Sequence, residues 1–151
     1  MIADRNIDES LLSCLMEGDA KQFLQSQCEK QGWTIAEYAH KLALQGTIAY
    51  DVIDNKMSGY VIGYTSDPSY TTSFITQVYV DRKYRGLHIA SKLMKEYEDY
   101  CIHKGLKGIW LTTQIDNHAA QKLYKSLGFV CVGFANEEKR LYKYIKNFSK
   151  E

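Results

Sequence analysis

Phe74-Ile75-Thr76-Gln77-Val78-Tyr79-Val80, then Asp81-Arg82-Lys83-Tyr84-Arg85, then Gly86-Leu87-His88-Ile89-Ala90-Ser91: this run, with the residues up to Glu98, decides how the chain folds. Its first seven residues are mostly β-branched or aromatic, which suits a strand. After Gly86 the apolar period changes, and Ile89, Leu93, Tyr97, Tyr100 and Cys101 share one helical face. A short basic link with a glycine joins the two. A strand, a basic turn and a helix start in this order can form an anion pocket. The first amides of a helix have no intrahelical acceptor, and the helix dipole favours negative charge there. A phosphate or pyrophosphate site is therefore expected at residues 86–91.

Upstream of this run, residues 47–53 and 58–65 read as strands around a turn at Asp54-Asn55-Lys56. With residues 72–80 they make an antiparallel meander with short loops. Pro68, the one proline, falls in a polar loop at residues 66–70. Three helices are predicted before the meander. The first covers residues 7–16. The second is capped by Asp19 and ends near Gly32. The third opens on the capping box Thr34-Ile35-Ala36-Glu37 and ends before Gly46. No strand is predicted ahead of them.

Downstream, the helix after Gly86 runs to about Lys104 and is closed by Gly105. Residues 108–114 form a strand, parallel to the one before the helix through a right-handed crossover. Asn117 opens another helix, with Ala119, Ala120, Leu123, Tyr124 and Leu127 on its apolar side and Gly128 at its end. Residues 129–134 and 140–145 are strands around a turn at Asn136-Glu137-Glu138. Residues 147–151 read as a frayed tail.

The length of 151 residues suits one domain. With 19 Lys and Arg against 18 Asp and Glu, the net charge argues against a general nucleic-acid binder. Cys14, Cys28, Cys101 and Cys131 show neither a Cys-x-x-Cys pair nor a histidine at zinc spacing, so no metal is expected. Buried free thiols in a reducing compartment are the simpler reading. The polar first residues do not resemble a signal peptide, and no apolar run spans a bilayer. A cytoplasmic protein without membrane attachment is expected.

Two motifs and the order of elements resemble those of the GNAT (Gcn5-related) N-acetyltransferases. Arg85-Gly86-Leu87-His88-Ile89-Ala90 is similar to that family's Gln/Arg-x-x-Gly-x-Gly/Ala turn. Asn117-His118-Ala119-Ala120 with Leu123-Tyr124-Lys125-Ser126-Leu127-Gly128-Phe129 is similar to its Asn-x-x-Ala…Tyr…Gly-Phe segment. The likeness covers about residues 47–145. It implies an α/β (α+β) fold of three layers. The central sheet would have about six mostly antiparallel strands, helices on both faces and a splayed parallel pair at the cofactor site. Residues 47–146 would form the acetyl-CoA-binding core, and the helices of residues 1–46 would help build the acceptor site. One residue departs from the pattern: His88 stands where the family usually has a glycine. A histidine with negative φ can still donate its amide there, and its imbalance with the pattern is either a side chain beside a phosphate or a solvent-facing residue.

The resemblance further implies that acetyl-CoA is the co-substrate. Main-chain groups of Val78, Tyr79 and Val80 would pair with the pantetheine arm as an added strand. The amides of Gly86, Leu87, His88, Ile89, Ala90 and Ser91 would hold the pyrophosphate, with Arg85 adding charge. Arg82 and Lys83 read as solvated, at most near the 3′-phosphate. Asn117 would bond the pantetheine, and Tyr124 would be the catalytic donor to the departing thiolate. A backbone amide near Tyr79 or Val80 would meet the developing oxyanion.

No general base is assigned. The strand lacks a carboxylate before Asp81, and Asp67 and Asp116 read as turn or cap residues. His118, His40 and His103 read as surface residues. Trp33, Tyr38, Tyr64, Tyr70 and Tyr142 are candidates for the acceptor pocket, which suits a small polar amine such as an amino sugar or polyamine. The expected activity is acetyl transfer to a primary amine of a small molecule. The alternatives are a CoA-binding sensor without turnover, or transfer to a protein amine. A homodimer through the final strands is a further expectation.

Overall fold

The computed structural model describes residues 1–66, 71–86 and 88–148. In chain order it contains β1 (Ile2–Asp4), α1 (Glu9–Leu15), α2 (Gly18–Lys30), α3 (Ile35–Gln45), β2 (Thr47–Ile53), β3 (Lys56–Tyr64) and β4 (Thr72–Val80). A 3-10 turn (Arg82–Tyr84) follows, then α4 (Ile89–His103), β5 (Gly108–Gln114), α5 (His118–Ser126), β6 (Val130–Phe134) and β7 (Leu141–Asn147). Local chemistry explains most of these boundaries. Asp8 caps α1 by accepting from the Leu11 amide at 2.8 Å. Thr34 and Glu37 form the expected reciprocal capping box of α3. Asp54 and Asn55 both have positive φ, the pairing a tight hairpin between twisted strands requires. The second helix departs from expectation. It begins at Gly18 behind Glu17, which makes no side-chain cap, and Asp19 sits inside the first turn.

Among the described residues seven strands form one sheet, in the order β1-β2-β3-β4-β5-β7-β6. The β4–β5 pair is parallel and its other neighbours are antiparallel. The fold is the mixed, mostly antiparallel sheet expected, with one strand more than the six or so counted from sequence. The addition is β1, which pairs Ile2 with Ala49 and Asp4 with Thr47. Three residues carry no usable period; pairing with β2 and side-chain bonds define this strand. Asp4 accepts from Thr47 at 2.7 Å, from Lys104 at 2.9 Å and from the Tyr100 hydroxyl. Burial raises the Asp4 pKa, but the bonds from Tyr100, Lys104 and Thr47 outweigh it and hold the carboxyl below its ordinary value. The C-terminal end also differs. β7 extends to Asn147, and the Phe148 amide donates to the Lys107 carbonyl at 2.8 Å, so this part of the expected tail is fixed. Residues 149–151 lie outside the described residues.

Each face of the sheet buries its own core. Leu15, Leu24, Leu42, Ile48, Tyr60 and Ile62 pack on the side of α1–α3. Val61, Leu93, Tyr97, Ile109, Leu111 and Tyr144 pack on the side of α4 and α5. This gives the three layers expected, with helices on both faces of one sheet.

Two irregularities in β4 shape the centre of the sheet. Ile62 pairs with Gln77 but Gly63 pairs with Ile75, so Thr76 is an extra residue, a bulge. Its hydroxyl donates to the Ile62 carbonyl at 3.2 Å. One extra residue reverses the facing of everything beyond it. Ser73 and Ile75 face the α4 side, where Ser73 bonds the Tyr97 hydroxyl at 2.7 Å. Gln77 and Tyr79 face the α1–α3 side. Gly63 is required here: a Cβ would collide with the Tyr97 hydroxyl and lie 2.6 Å from the Phe74 carbonyl oxygen. The second irregularity is a parting of strands. β4 and β5 pair only at Thr72, Ser73 and Phe74, opposite Gly108, Ile109 and Trp110. Beyond Trp110, β5 stays with β7 as far as Gln114 opposite Leu141.

Candidate active site

Where β4 leaves β5, the gap opens into a cleft of about 840 Å³. Thr76, Gln77 and Val78 line one wall, and Leu111, Thr112 and Thr113 line the other. α5 contributes Ala120, Leu123 and Tyr124, and the mouth carries Trp33, Tyr38, Lys41 and Tyr64. The antiparallel alternation decides which backbone groups face the gap. The Asp81 amide donates to the Ser58 carbonyl at 2.7 Å, so Asp81 turns its hydrogen-bonding groups to β3. Val80 and Val78 then turn theirs away from β3, and Tyr79 turns its groups toward it. Of the three residues expected to present main chain here, Val78 and Val80 do so and Tyr79 does not. The Val80 carbonyl accepts from Arg85 Nε at 3.2 Å. That bond ties the exposed Arg85 beside the gap rather than leaving it loose.

The start of α4 lies beyond the same end of β4. Gly86 has φ +83°, with no atom within 4 Å of where a Cβ would stand. His88 is the N-cap, at φ 61° and ψ 22°, with no side-chain cap bond. It does not take the negative φ that the sequence reading required of a histidine. It adopts a left-handed conformation, the region that favours glycine, which costs a non-glycine residue roughly 1–2 kcal/mol. The backbone therefore follows the path of a glycine turn, with an exposed imidazole added. The first helical bond runs from the Lys92 amide to the His88 carbonyl at 3.0 Å. The amides of Ile89, Ala90 and Ser91 have no intrahelical acceptor. Leu87 lies outside the described residues.

Across the gap, α5 begins differently. Asn117 Oδ1 accepts from the Ala120 amide at 3.1 Å, a side-chain cap whose carboxamide NH₂ has no partner among the described residues. Tyr124 lies almost two turns on, buried against Phe129 and Tyr144, with ring centroids 6.0 Å away in each case. Its hydroxyl has no hydrogen-bond partner among the described residues, and its ring lines the cleft. Burial pushes its pKa up to about 12, so the phenol keeps its proton.

Gln77 is a residue the sequence reading passed over. The bulge turns it toward α3, where Gln77 Nε2 donates to the Tyr38 hydroxyl at 3.1 Å and its Oε1 accepts from Tyr60 at 3.3 Å. Burial holds both phenols well above their ordinary pKa. Gln77 and Tyr38 line the cleft, the fully buried Tyr60 backs them, and the trio is polar without charge. Tyr38 is 39 positions from Gln77, and only the alternation break at Thr76 could have signalled their meeting. The other candidates divide. Trp33, Tyr38 and Tyr64 line the cleft as expected. Tyr142 stacks on Phe134 at 5.2 Å and does not line it. Asp116 and His118 are exposed and do not line it either, nor do His40 and His103, both exposed. Arg82 and Lys83 are exposed on the 3-10 turn. Asp67 and Tyr70 lie outside the described residues. Cys28 and Cys101 are buried, Cys14 is half-buried and Cys131 is exposed. Among the described residues no cluster of His, Cys, Asp or Glu could hold a metal, and no helix is long and apolar enough to cross a membrane.

Residues 12–129 match the family model described as the acetyltransferase (GNAT) family. The chain belongs to this family. That span includes the parted strands, the turn before α4 and the whole of α5. N-alpha-acetyltransferase 30 of Schizosaccharomyces pombe is 36% identical over 74 residues, which are 49% of this chain and 45% of that protein. The aligned part is thus less than half the length of this curated relative. A Bacillus anthracis protein described as a streptothricin acetyltransferase, solved with acetyl coenzyme A, is similar at 26% identity and a TM-score of 0.59. The likeness covers 69% of this chain and 63% of that one. A chain of the NatC complex bound to Gag peptide and CoA has the same fold. It is 20% identical with a TM-score of 0.68, over 98% of this chain and 99% of that one.

Proposed function

We propose that the protein is an acetyl-CoA-dependent N-acetyltransferase that moves an acetyl group to the primary amine of a small molecule, by direct attack in a ternary complex in the cytoplasm. The gap between β4 and β5 carries this reading. It offers unpaired strand backbone, an uncapped helix start and a phenol that lines the cleft with no hydrogen-bond partner among the described residues. Residues 47–146 supply the cofactor-binding core and residues 1–46 the acceptor wall. Val78 and Val80 would hold the pantetheine arm through main-chain bonds, with the Asn117 NH₂ on the far side. The amides of Ile89, Ala90 and Ser91 would hold the pyrophosphate, assisted by Arg85.

Acetyl-CoA supplies an activated thioester. The Val80 or Val78 amide is a donor for the charge that develops on the carbonyl oxygen. Tyr124 faces the sulfur end. Its pKa of about 12 lies well above the ~8.5 of an ordinary thiol, so full proton transfer to the thiolate runs uphill. The phenol therefore stabilises the leaving sulfur by a hydrogen bond, and the proton that remains on the thiol comes from the attacking amine. Gln77 orients through Tyr38 and Tyr60 but cannot take up a proton. The amine must accordingly reach the cleft neutral, or pass its proton to water.

A second reading has its own support. The 36% identical relative is an N-alpha-acetyltransferase, so the acceptor could be the α-amine of a polypeptide. An α-amine has a pKa of roughly 7.7–8.0 against about 10.4 for a lysine, so more of it is neutral near pH 7.5. Calorimetry with acetyl-CoA and CoA, followed by CoA release with a panel of amines and N-terminal peptides, tests both. Failure to bind either cofactor form would end the proposal. Binding without release across the panel would make the protein a CoA sensor.

A further inference from the structure

We infer that the amine acceptor carries an anionic group, and that Lys41 and Arg5 hold it in a second cavity beside the cleft. The inference rests on the transferase reading and narrows its acceptor. The second cavity has a volume of about 440 Å³ and is lined by Arg5, Lys41, Gln45, Tyr64 and Ser66. Lys41 and Tyr64 line the main cleft as well, so the two spaces meet at these residues.

Three observations give the junction its chemistry. First, Lys41 is held there: its ammonium lies 5.1 Å from the centre of the Trp33 ring and 5.0 Å from that of Tyr64. Two aromatic faces fix a cation in place but do not neutralise it. Second, no ion pair among the described residues neutralises it: neither Lys41 nor Arg5 pairs with a carboxylate. Asp4, the residue before Arg5, is already engaged by Thr47, Tyr100 and Lys104. Third, the described residues that line the main cleft include Lys30 and Lys41 but no Asp or Glu. A cleft with one sign of charge concentrates ligands of the opposite sign and repels its own. Spermidine-like or aminoglycoside-like acceptors, which bring several positive charges, are the wrong class for this wall. An amine that also carries a carboxylate or a phosphate is the right one.

The spacing fits a single ligand. Tyr38 and Lys41 stand three apart on α3 and so share a face. Tyr38 meets Gln77 in the wall of the cleft, where the amine would react. Lys41 stands about 4.5 Å further along the helix axis, where the anion would sit. The anionic group could belong to a small amino acid or to an acidic side chain near a polypeptide N-terminus; the chemistry is the same.

The test compares kcat/KM for CoA release with β-alanine and 4-aminobutanoate against their carboxamides. Spermidine and short peptides beginning Met-Glu or Met-Lys complete the set. We expect each carboxylate to exceed its carboxamide by at least tenfold, Met-Glu to exceed Met-Lys, and spermidine to be the poorest. In Lys41→Gln the carboxylate-to-carboxamide ratio should fall roughly tenfold, the loss of one charge-assisted bond. Arg5→Gln should lower it less, and added salt should lower it in wild type. Arg5 is exposed, so that variant serves if Lys41→Gln fails to fold by thermal unfolding. Response to the small amino acids or only to Met-Glu identifies the source, and either result supports the inference. Equal rates for carboxylates and carboxamides, preference for spermidine, or an unchanged ratio in both variants would overturn it and leave the transferase reading standing. Acetyl-CoA binding without turnover on any member would overturn both.

Discussion

The two helices that flank the gap start in opposite ways. α4 begins at a left-handed His88 that gives no side-chain cap, and three amides at its start lack intrahelical acceptors. α5 begins at Asn117, whose side chain closes on the Ala120 amide. A helix start left open next to a basic turn is a place for an anion; a helix start closed by its own asparagine is not. The difference separates two tasks that lie on one cleft. In the proposed reading α4 binds, through backbone and dipole, and α5 supplies the chemistry, through the phenol of Tyr124 almost two turns on from its cap. If the division holds, changes on α5 should act on turnover and changes at the start of α4 on cofactor affinity.

The largest expected effect is that of Tyr124→Phe. Removing the donor to the leaving sulfur should lower kcat by about 10²-fold, with the acetyl-CoA Kd measured by calorimetry nearly unchanged. An equal loss in Kd and kcat would merge the two tasks. The pH profile adds a check. Since the Tyr124 pKa is raised to about 12, from near 10 when unfolded, its proton stays on across neutral and mildly alkaline pH. Wild-type kcat/KM should therefore climb with pH as the acceptor amine loses its proton, with no falling limb from Tyr124 below about pH 10. The same shift stabilises the fold below about pH 10, and that stabilisation is lost as pH rises toward 12. Tyr124→Phe should lack this part of the alkaline unfolding. His88→Asp comes next. A carboxylate at the N-cap of α4 favours the helix but repels a pyrophosphate. The acetyl-CoA Kd should rise about tenfold while the melting temperature holds or increases. Unchanged affinity would remove the pyrophosphate from this helix start.

Most of this arrangement was legible in the chain. The strands of the meander, the crossover helix and α5 carry their own period, and Asn117 and Tyr124 sit where the spacing put them. What escaped depends on contacts distant in sequence. β1 is three residues long and exists through its pairing with β2 and the bonds of Asp4, one to Lys104 at a separation of 100 positions. The bulge at Thr76 hides inside a run that reads as unbroken strand. Without it, alternation assigns Gln77 to the face of Ile75, and its meeting with Tyr38 and Tyr60 cannot be foreseen. Tyr79 shows the same limit in the backbone: alternation of side chains is visible in a sequence, but which amides face a neighbour depends on the register with β3. The left-handed His88 is a milder case. The motif pointed to the position, and a histidine there made negative φ the natural expectation.

Asn117→Ala and His88→Gly probe the two helix starts with smaller effects. Asn117→Ala removes the cap of α5 and should cost about 1 kcal/mol in urea unfolding. A several-fold rise in acetyl-CoA Kd beyond that loss would give the asparagine a ligand contact as well as a cap. His88→Gly acts in the other direction. The left-handed conformation costs a histidine roughly 1–2 kcal/mol, while glycine brings back a loss of unfolded-chain entropy of about 0.5–1 kcal/mol. The net gain should be a few tenths of a kcal/mol to about 1 kcal/mol in stability. Because Gly86 already follows a path with open space around it, the substitution leaves the turn unchanged and the Ile89–Ser91 amides where they are. Affinity for acetyl-CoA should stay within about threefold of wild type if the imidazole faces solvent. A larger loss would place the imidazole against the phosphates. In that event α4 binds through a side chain as well as its backbone, and the contrast with α5 narrows.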